Sequence, residues 1–181
     1  MRIVIPLLVL LAAPIGRAGA TVLVPTDLRT LSQEAQAIVR GRVVDLEPQW
    51  SVSHRTIETV VSLEVDEALK GAPGGLVRFR VPGGVLGRYR SVIVGAPQFV
   101  RDQRVIVFLK GRAPEVPYLV GLSQGVYRVG PDAGGTGWIV TPPPLAQRRA
   151  PSRMVRGDRA RVPLPLDRFE TQVRSLVGAG R

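Results

Sequence analysis

From Thr56 to Leu69 the side chains alternate in character, and this run constrains the fold more than any other part of the chain. Ile57, Thr59, Val61, Leu63 and Val65 fall on one face, and Glu58, Ser62, Glu64 and Asp66 on the other, with Val60 the exception. A period of two is that of a β-strand, and so long a run specifies an antiparallel strand with one face in a core and one in water. Gly71-Ala72-Pro73-Gly74-Gly75 ends it with turn residues. Leu76 to Val81 repeats the pattern, with Val77, Phe79 and Val81 inside and Arg78 and Arg80 outside.

The neighbouring segments extend this reading. A strand is expected over Ala37–Val44, with Gly41 marking a bulge or bend. Glu47–Arg55 is polar, contains Pro48 and reads as a loop. Arg88–Val94 reads as a strand in a Gly-rich setting. Arg104-Val105-Ile106-Val107-Phe108-Leu109 is apolar on both faces, as a central or doubly covered strand requires. Tyr118–Val129 reads as a strand interrupted by Gly121 and Gly125, and Gly137–Val140 as a short last one. A short helix is expected over Asp27–Ala35, capped by Thr26 or Asp27, and an amphipathic helix over Leu166–Val177. These elements predict a mostly β chain: a small antiparallel OB-like β-barrel with a short N-terminal helix and a C-terminal amphipathic helix. Closure removes the exposed edges such a sheet otherwise presents.

The organisation follows from the ends. Residues 1–20 comprise Met1-Arg2, an apolar run from Ile3 to Pro14, and Ala18-Gly19-Ala20, the layout of a secretory signal peptide cleaved near Ala20. Residues 21–141 are expected to form the barrel, 142–163 a Pro/Arg-rich linker, and 164–181 the C-terminal helix. The apolar run is shorter than the ~20 residues a membrane-spanning helix needs, and no later stretch reaches that length. The expected location is periplasmic or extracellular.

No cysteine is present, which removes disulfides, thiolate metal sites and cysteine nucleophiles. The formal net charge is +11, and losing Arg2 and Arg17 with the signal leaves +9. Residues 141–181 account for +6 of that, from nine arginines against Asp158, Asp167 and Glu170. A basic excess of this kind has two readings: arginine-rich composition throughout, or an anionic partner such as nucleic acid, lipid headgroups or acidic polysaccharide.

Catalytic and metal-binding patterns are sparse. His54 is the single histidine and has no partner histidine or cysteine with which to share a metal. No Gly-x-Ser-x-Gly elbow presents a serine, and the glycine-rich stretches lack phosphate-loop endings. Glu58, Glu64 and Asp66 share a strand face, where they serve either as paired carboxylates for hydrolysis or as partners of neighbouring arginines. Arg156-Gly157-Asp158 is read as chance. No cofactor and no catalytic residue is assigned.

The arginines form the candidate site. Arg40/Arg42, Arg78/Arg80 and Arg88/Arg90 are three i, i+2 pairs, and in strands each pair points to one side. Side by side they make either an anion- or partner-binding panel of guanidinium forks or a surface of structural ion pairs. Phe79 and Tyr89 alternate with their arginines and are expected in the core.

Ala35-Gln36-Ala37-Ile38-Val39-Arg40-Gly41-Arg42-Val43, the Leu69-Lys70-Gly71 strand end, Val81-Pro82-Gly83-Gly84 and Phe108-Leu109-Lys110-Gly111 together resemble a class of uncharacterised bacterial exported proteins. The layout over residues 27–130 is distantly similar to the netrin-like module, the OB-type barrel of the tissue inhibitors of metalloproteinases. That resemblance implies a five-stranded barrel with a binding or inhibitory role. Those inhibitors use a mature N-terminal cysteine on the protease zinc, and this chain has none, so only the architecture carries over. The function expected from the whole is an exported, non-catalytic module that binds a protein of the cell envelope or extracellular space. Alternatives are a binder of anionic polymer or membrane surface, and a hydrolase.

Overall fold

The computed structural model describes residues 25–111, 114–144 and 162–179. The signal segment with its cleavage site, most of the Pro/Arg-rich linker and Arg156-Gly157-Asp158 lie outside the described residues.

The chain is mostly β, with one short helix before the strands and one helix after them. Helix α1 (Leu28–Glu34) starts where the Asp27 side chain accepts the Thr30 N–H at 2.7 Å, satisfying one of the free donors of a helix start. Leu28 and Leu31 are buried. Strands β1 (Ala37–Trp50) and β2 (Ile57–Lys70) then form a long antiparallel pair. They are followed by β3 (Leu76–Pro82), β4 (Gly84–Leu86), β5 (Tyr89–Ser91), β6 (Arg104–Lys110), β7 (Tyr118–Leu119), β8 (Val126–Pro131), β9 (Trp138–Thr141) and β10 (Leu164–Pro165). Helix α2 (Leu166–Gly178) closes the chain. Among the described residues no helix is long and apolar enough to cross a membrane.

The pairings run in a ring. β1 pairs with β2, β2 with β3, β3 with β7, β7 with β6, and β6 with β1 again. All are antiparallel except β3–β7, which is parallel and consists of the one pairing Arg80↔Tyr118. β8, β9 and β10 extend the sheet from β6.

β1 belongs to two pairings because it bends. Its register against β2 shifts at three places, one of them between Arg40 and Gly41. A Cβ on Gly41 lies 2.1 Å from the Glu64 carbonyl oxygen, so only glycine permits this approach. The first half of β1 (Ala37–Arg42) pairs with β6 on its other edge, and the second half runs on beside β2 alone. Pro48 is tolerated in that second half because the missing N–H faces an unpaired edge. The expected loop over Glu47–Arg55 is therefore corrected: β1 continues to Trp50 and the turn is confined to Ser51–Thr56.

Two other expected elements differ. Gly121 and Leu122 take left-handed backbone (φ 65° and 54°), and a Cβ on Gly125 would lie 2.3 Å from the Val120 carbonyl oxygen. The single strand expected over Tyr118–Val129 is thus split by a 3-10 turn, Leu122–Gly125, into β7 and β8. Both halves occupy the edge of β6 opposite β1, since Leu109 pairs with Ala37 and Leu119, and Ile106 with Arg40 and Tyr127. The strand expected over Arg88–Val94 is instead the hairpin β4–β5 followed by irregular chain, because Gly83 and Gly84 (φ 97° and 148°) turn the backbone out of the sheet.

β6 is the wall between two cores. Val105, Val107 and Leu109 pack inside the ring with Val39, Val43, Val61, Leu63, Val77, Phe79 and Val81. Ile106 and Phe108 face outward into a second core with Leu28, Leu31, Ile38, Tyr127, Phe169 and Val173. This is why the strand is apolar on both faces. The two helices pack on that outer face, with the Tyr127 and Phe169 ring centres 4.8 Å apart.

Lys70, at the end of β2, donates from Nζ to the carbonyls of Ser32 (2.7 Å) and Gln33 (3.2 Å) at the C-terminal end of α1. Burial lowers its pKa below the ordinary 10.5. Above 10.5 neither state holds the proton, and below the folded value both do. Between the two the unfolded chain holds more protons, so stability rises with pH across that window. The urea midpoint of the wild type is expected to climb there, and Lys70→Met is expected to lack this climb.

Candidate functional site

The structure divides the six candidate arginines into two groups. Arg40 donates from Nε to Glu170 Oε1 at 2.7 Å and lies 3.4 Å from Asp66. Arg42 lies between Glu64 (2.5 Å) and Asp102 (3.0 Å), and both carboxylates raise its pKa, hydrogen bonding to Glu64 foremost. Arg78 pairs with Glu47 at 2.5 Å and Arg80 reaches Glu58 at 4.0 Å. These four strand arginines alternate with carboxylates of neighbouring elements. Surface pairs of this type contribute little each, and they leave less free charge for a ligand.

Arg88 and Arg90 stand apart on the β4–β5 hairpin. The Arg88 guanidinium lies over the Tyr89 ring at 5.2 Å from its centre. Among the described residues no carboxylate lies within ion-pair distance of Arg88 or Arg90. Phe79 is fully buried as expected, but Tyr89 is about half exposed. Having left the sheet with the hairpin, its ring meets Trp50 edge-on, centres 5.4 Å apart.

That contact helps hold the hairpin over the open half of the β1–β2–β3 surface. Thr59 Oγ1 donates to the Gly83 carbonyl at 2.8 Å, and a Cβ on Gly84 would sit 2.5 Å from Thr59 Oγ1. Between hairpin and sheet lies a groove of about 460 Å³. Its apolar lining includes Leu46, Val61 and Val81 from the strands, and Val85, Val92, Ile93 and Phe99 from the hairpin and the irregular chain after it. Thr59, Ser91 and Gln98 contribute polar side chains, and among the described residues Arg90 is the one charged residue in the lining. A smaller hollow of about 230 Å³ adjoins it across Pro82 and Ile93, beside Glu58, Arg80 and Tyr118. The rim is apolar and exposed: Val85 is 56% exposed, Val92 69% and Ile93 37%.

The remaining candidates are placed as follows. Glu58 accepts from Gln49 at 2.9 Å, Glu64 is held by Arg42, and Asp66 is shared by Arg40 and Arg104. His54 is exposed in the β1–β2 turn with a left-handed backbone, φ 53°. Among the described residues no three His, Cys, Asp or Glu side chains gather as metal ligands.

Sequence reasoning missed the groove. The signal was present in Val85, Val92, Ile93 and Val94, apolar residues in Gly-rich chain with no period to bury them. Without the tertiary fold Val92, Ile93 and Val94 read as part of one more strand, and Val85 as part of a glycine-rich turn.

No family model, curated protein or solved structure matches this chain.

Proposed function

We propose that the chain is an exported, non-catalytic binding module built on a small OB-like barrel, and that it engages another protein through the groove between the sheet and the β4–β5 hairpin. The ring β1–β2–β3–β7–β6–β1, with its parallel β3–β7 pairing, supports the barrel reading. Export rests on residues 1–20. The observation that carries the binding reading is the groove itself: a concave apolar surface whose rim valines are left in water, the kind of patch that marks an interaction site.

The test is a pull-down from native envelope and medium with residues 21–181, at low and high salt. A discrete protein retained at high salt is the expected result. The double variant Val85→Glu/Val92→Glu puts two carboxylates on exposed positions of the groove. It is expected to lose that protein at least tenfold while melting within ~2 °C of wild type, since exposed substitutions change stability little. Unchanged retention by the double variant would overturn the groove as the binding surface.

A second reading has its own observation, the carboxylate-free Arg88 and Arg90. It is binding of an anionic polymer or lipid headgroups, and its mark is retention that falls steeply with salt as counterions are released.

A further inference from the structure

We infer that the groove takes an extended segment of a partner protein in which apolar side chains flank a carboxylate, and that Arg90 pairs that carboxylate. This rests on the groove being the binding surface.

Three observations converge. First, Arg90 is the single charged residue among the described residues that line an otherwise apolar and polar-neutral groove. Of the other strand arginines, Arg40, Arg42, Arg78, Arg80 and Arg104 have carboxylate partners, and Arg128 donates to the Gln98 carbonyl. A guanidinium beside apolar surface, without a counter-charge among the described residues, is complementary to a ligand that brings one; the fork geometry suits a carboxylate. Second, among the described residues β4 and β5 pair only with each other, so the hairpin has strand edges beside the groove that no described strand covers. Such edges accept an extended chain by main-chain hydrogen bonds, while pockets read alternate side chains. Third, the surface is concave. A peptide fills a concavity of about 460 Å³, whereas a flat bilayer surface does not follow its walls.

The protein is expressed with its export segment and purified as the cell delivers it. The probes are labelled peptides of about eight residues, a strand's length, carrying alternating Val, Ile or Leu and one central Glu, each with a Gln counterpart. Binding is read by fluorescence polarisation, and flotation with phosphatidylglycerol vesicles is run alongside. Glu peptides are expected to bind about tenfold tighter than their Gln counterparts, the scale of one hydrogen bond to a charged group. Arg90→Gln is expected to bring the Glu and Gln peptides to equal affinity with an unchanged melting temperature, and Arg90→Lys to restore part of the difference.

Equal binding of Glu and Gln peptides overturns the inference, as does binding of neither, or co-flotation with vesicles in place of peptide binding. The two levels separate through the partner captured by pull-down. Loss in Val85→Glu/Val92→Glu with full retention in Arg90→Gln rejects the carboxylate contact and keeps the groove. Retention in both rejects the groove.

Discussion

Gly41→Ala is expected to cost about 3 kcal/mol, the upper end of what overpacking a well-packed site costs. The added Cβ would lie 2.1 Å from the Glu64 carbonyl oxygen and 3.0 Å from Leu63 Cγ. The nearer atom is backbone and has no rotamer through which to escape. Relief requires β1 and β2 to separate where β1 bends, which also disturbs the pairing of Arg40 and Arg42 with β6. For a chain of this size the melting temperature should fall by roughly 6–12 °C. Gly75→Ala is the control, because nothing lies within 4 Å of a Cβ there, and it is expected to stay within ~0.5 kcal/mol of wild type. Thermal melts of the two variants decide the matter: equal melting temperatures would mean that the bulge at Gly41 does not require glycine.

Phe169→Ala is expected to cost ~3–5 kcal/mol, the range for deleting a buried aromatic ring. Phe169 is 1% exposed and fills the outer core between Tyr127 and the two helices. Its loss should loosen α1 as well as α2, since Leu28 and Leu31 share that core. Hydrogen exchange in α1 should accelerate along with that in α2. By contrast Glu170→Gln, one residue on, weakens the ion pair with Arg40 and is expected to cost about 1 kcal/mol or less. If Phe169→Ala were no worse than Glu170→Gln, α2 would be an appendage and not a part of the fold.

Much of this architecture was legible because strand and helix periods are local. The alternation over Thr56–Leu69 marked β2, and Val77, Phe79 and Val81 were recognisable as the inner face of β3. The double-sided apolar run at Arg104–Leu109 announced a strand covered on both faces, though not what covers each. Asp27 and the Leu28/Leu31 spacing marked α1, and Phe169, Val173 and Leu176 marked α2. Gly41 stood out as a bend because glycine inside a strand pattern weakens it without a packing reason.

What the sequence by itself determined, then, is which segments are strands and which face of each is apolar, since side-chain period is a property of neighbouring residues. Only the tertiary structure decided where each strand edge found its partner. A long-range backbone approach, Gly41 against Glu64, bends β1, and a local one, Gly125 against Val120, splits the chain after β7. The fate of the arginines was decided in the same way. Arg40, Arg42, Arg78 and Arg80 met carboxylates on other elements, while Gly83 and Gly84 carried Arg88, Tyr89 and Arg90 out of the sheet. Charge partners and grooves are made by residues far apart in the chain, and no local pattern contains them.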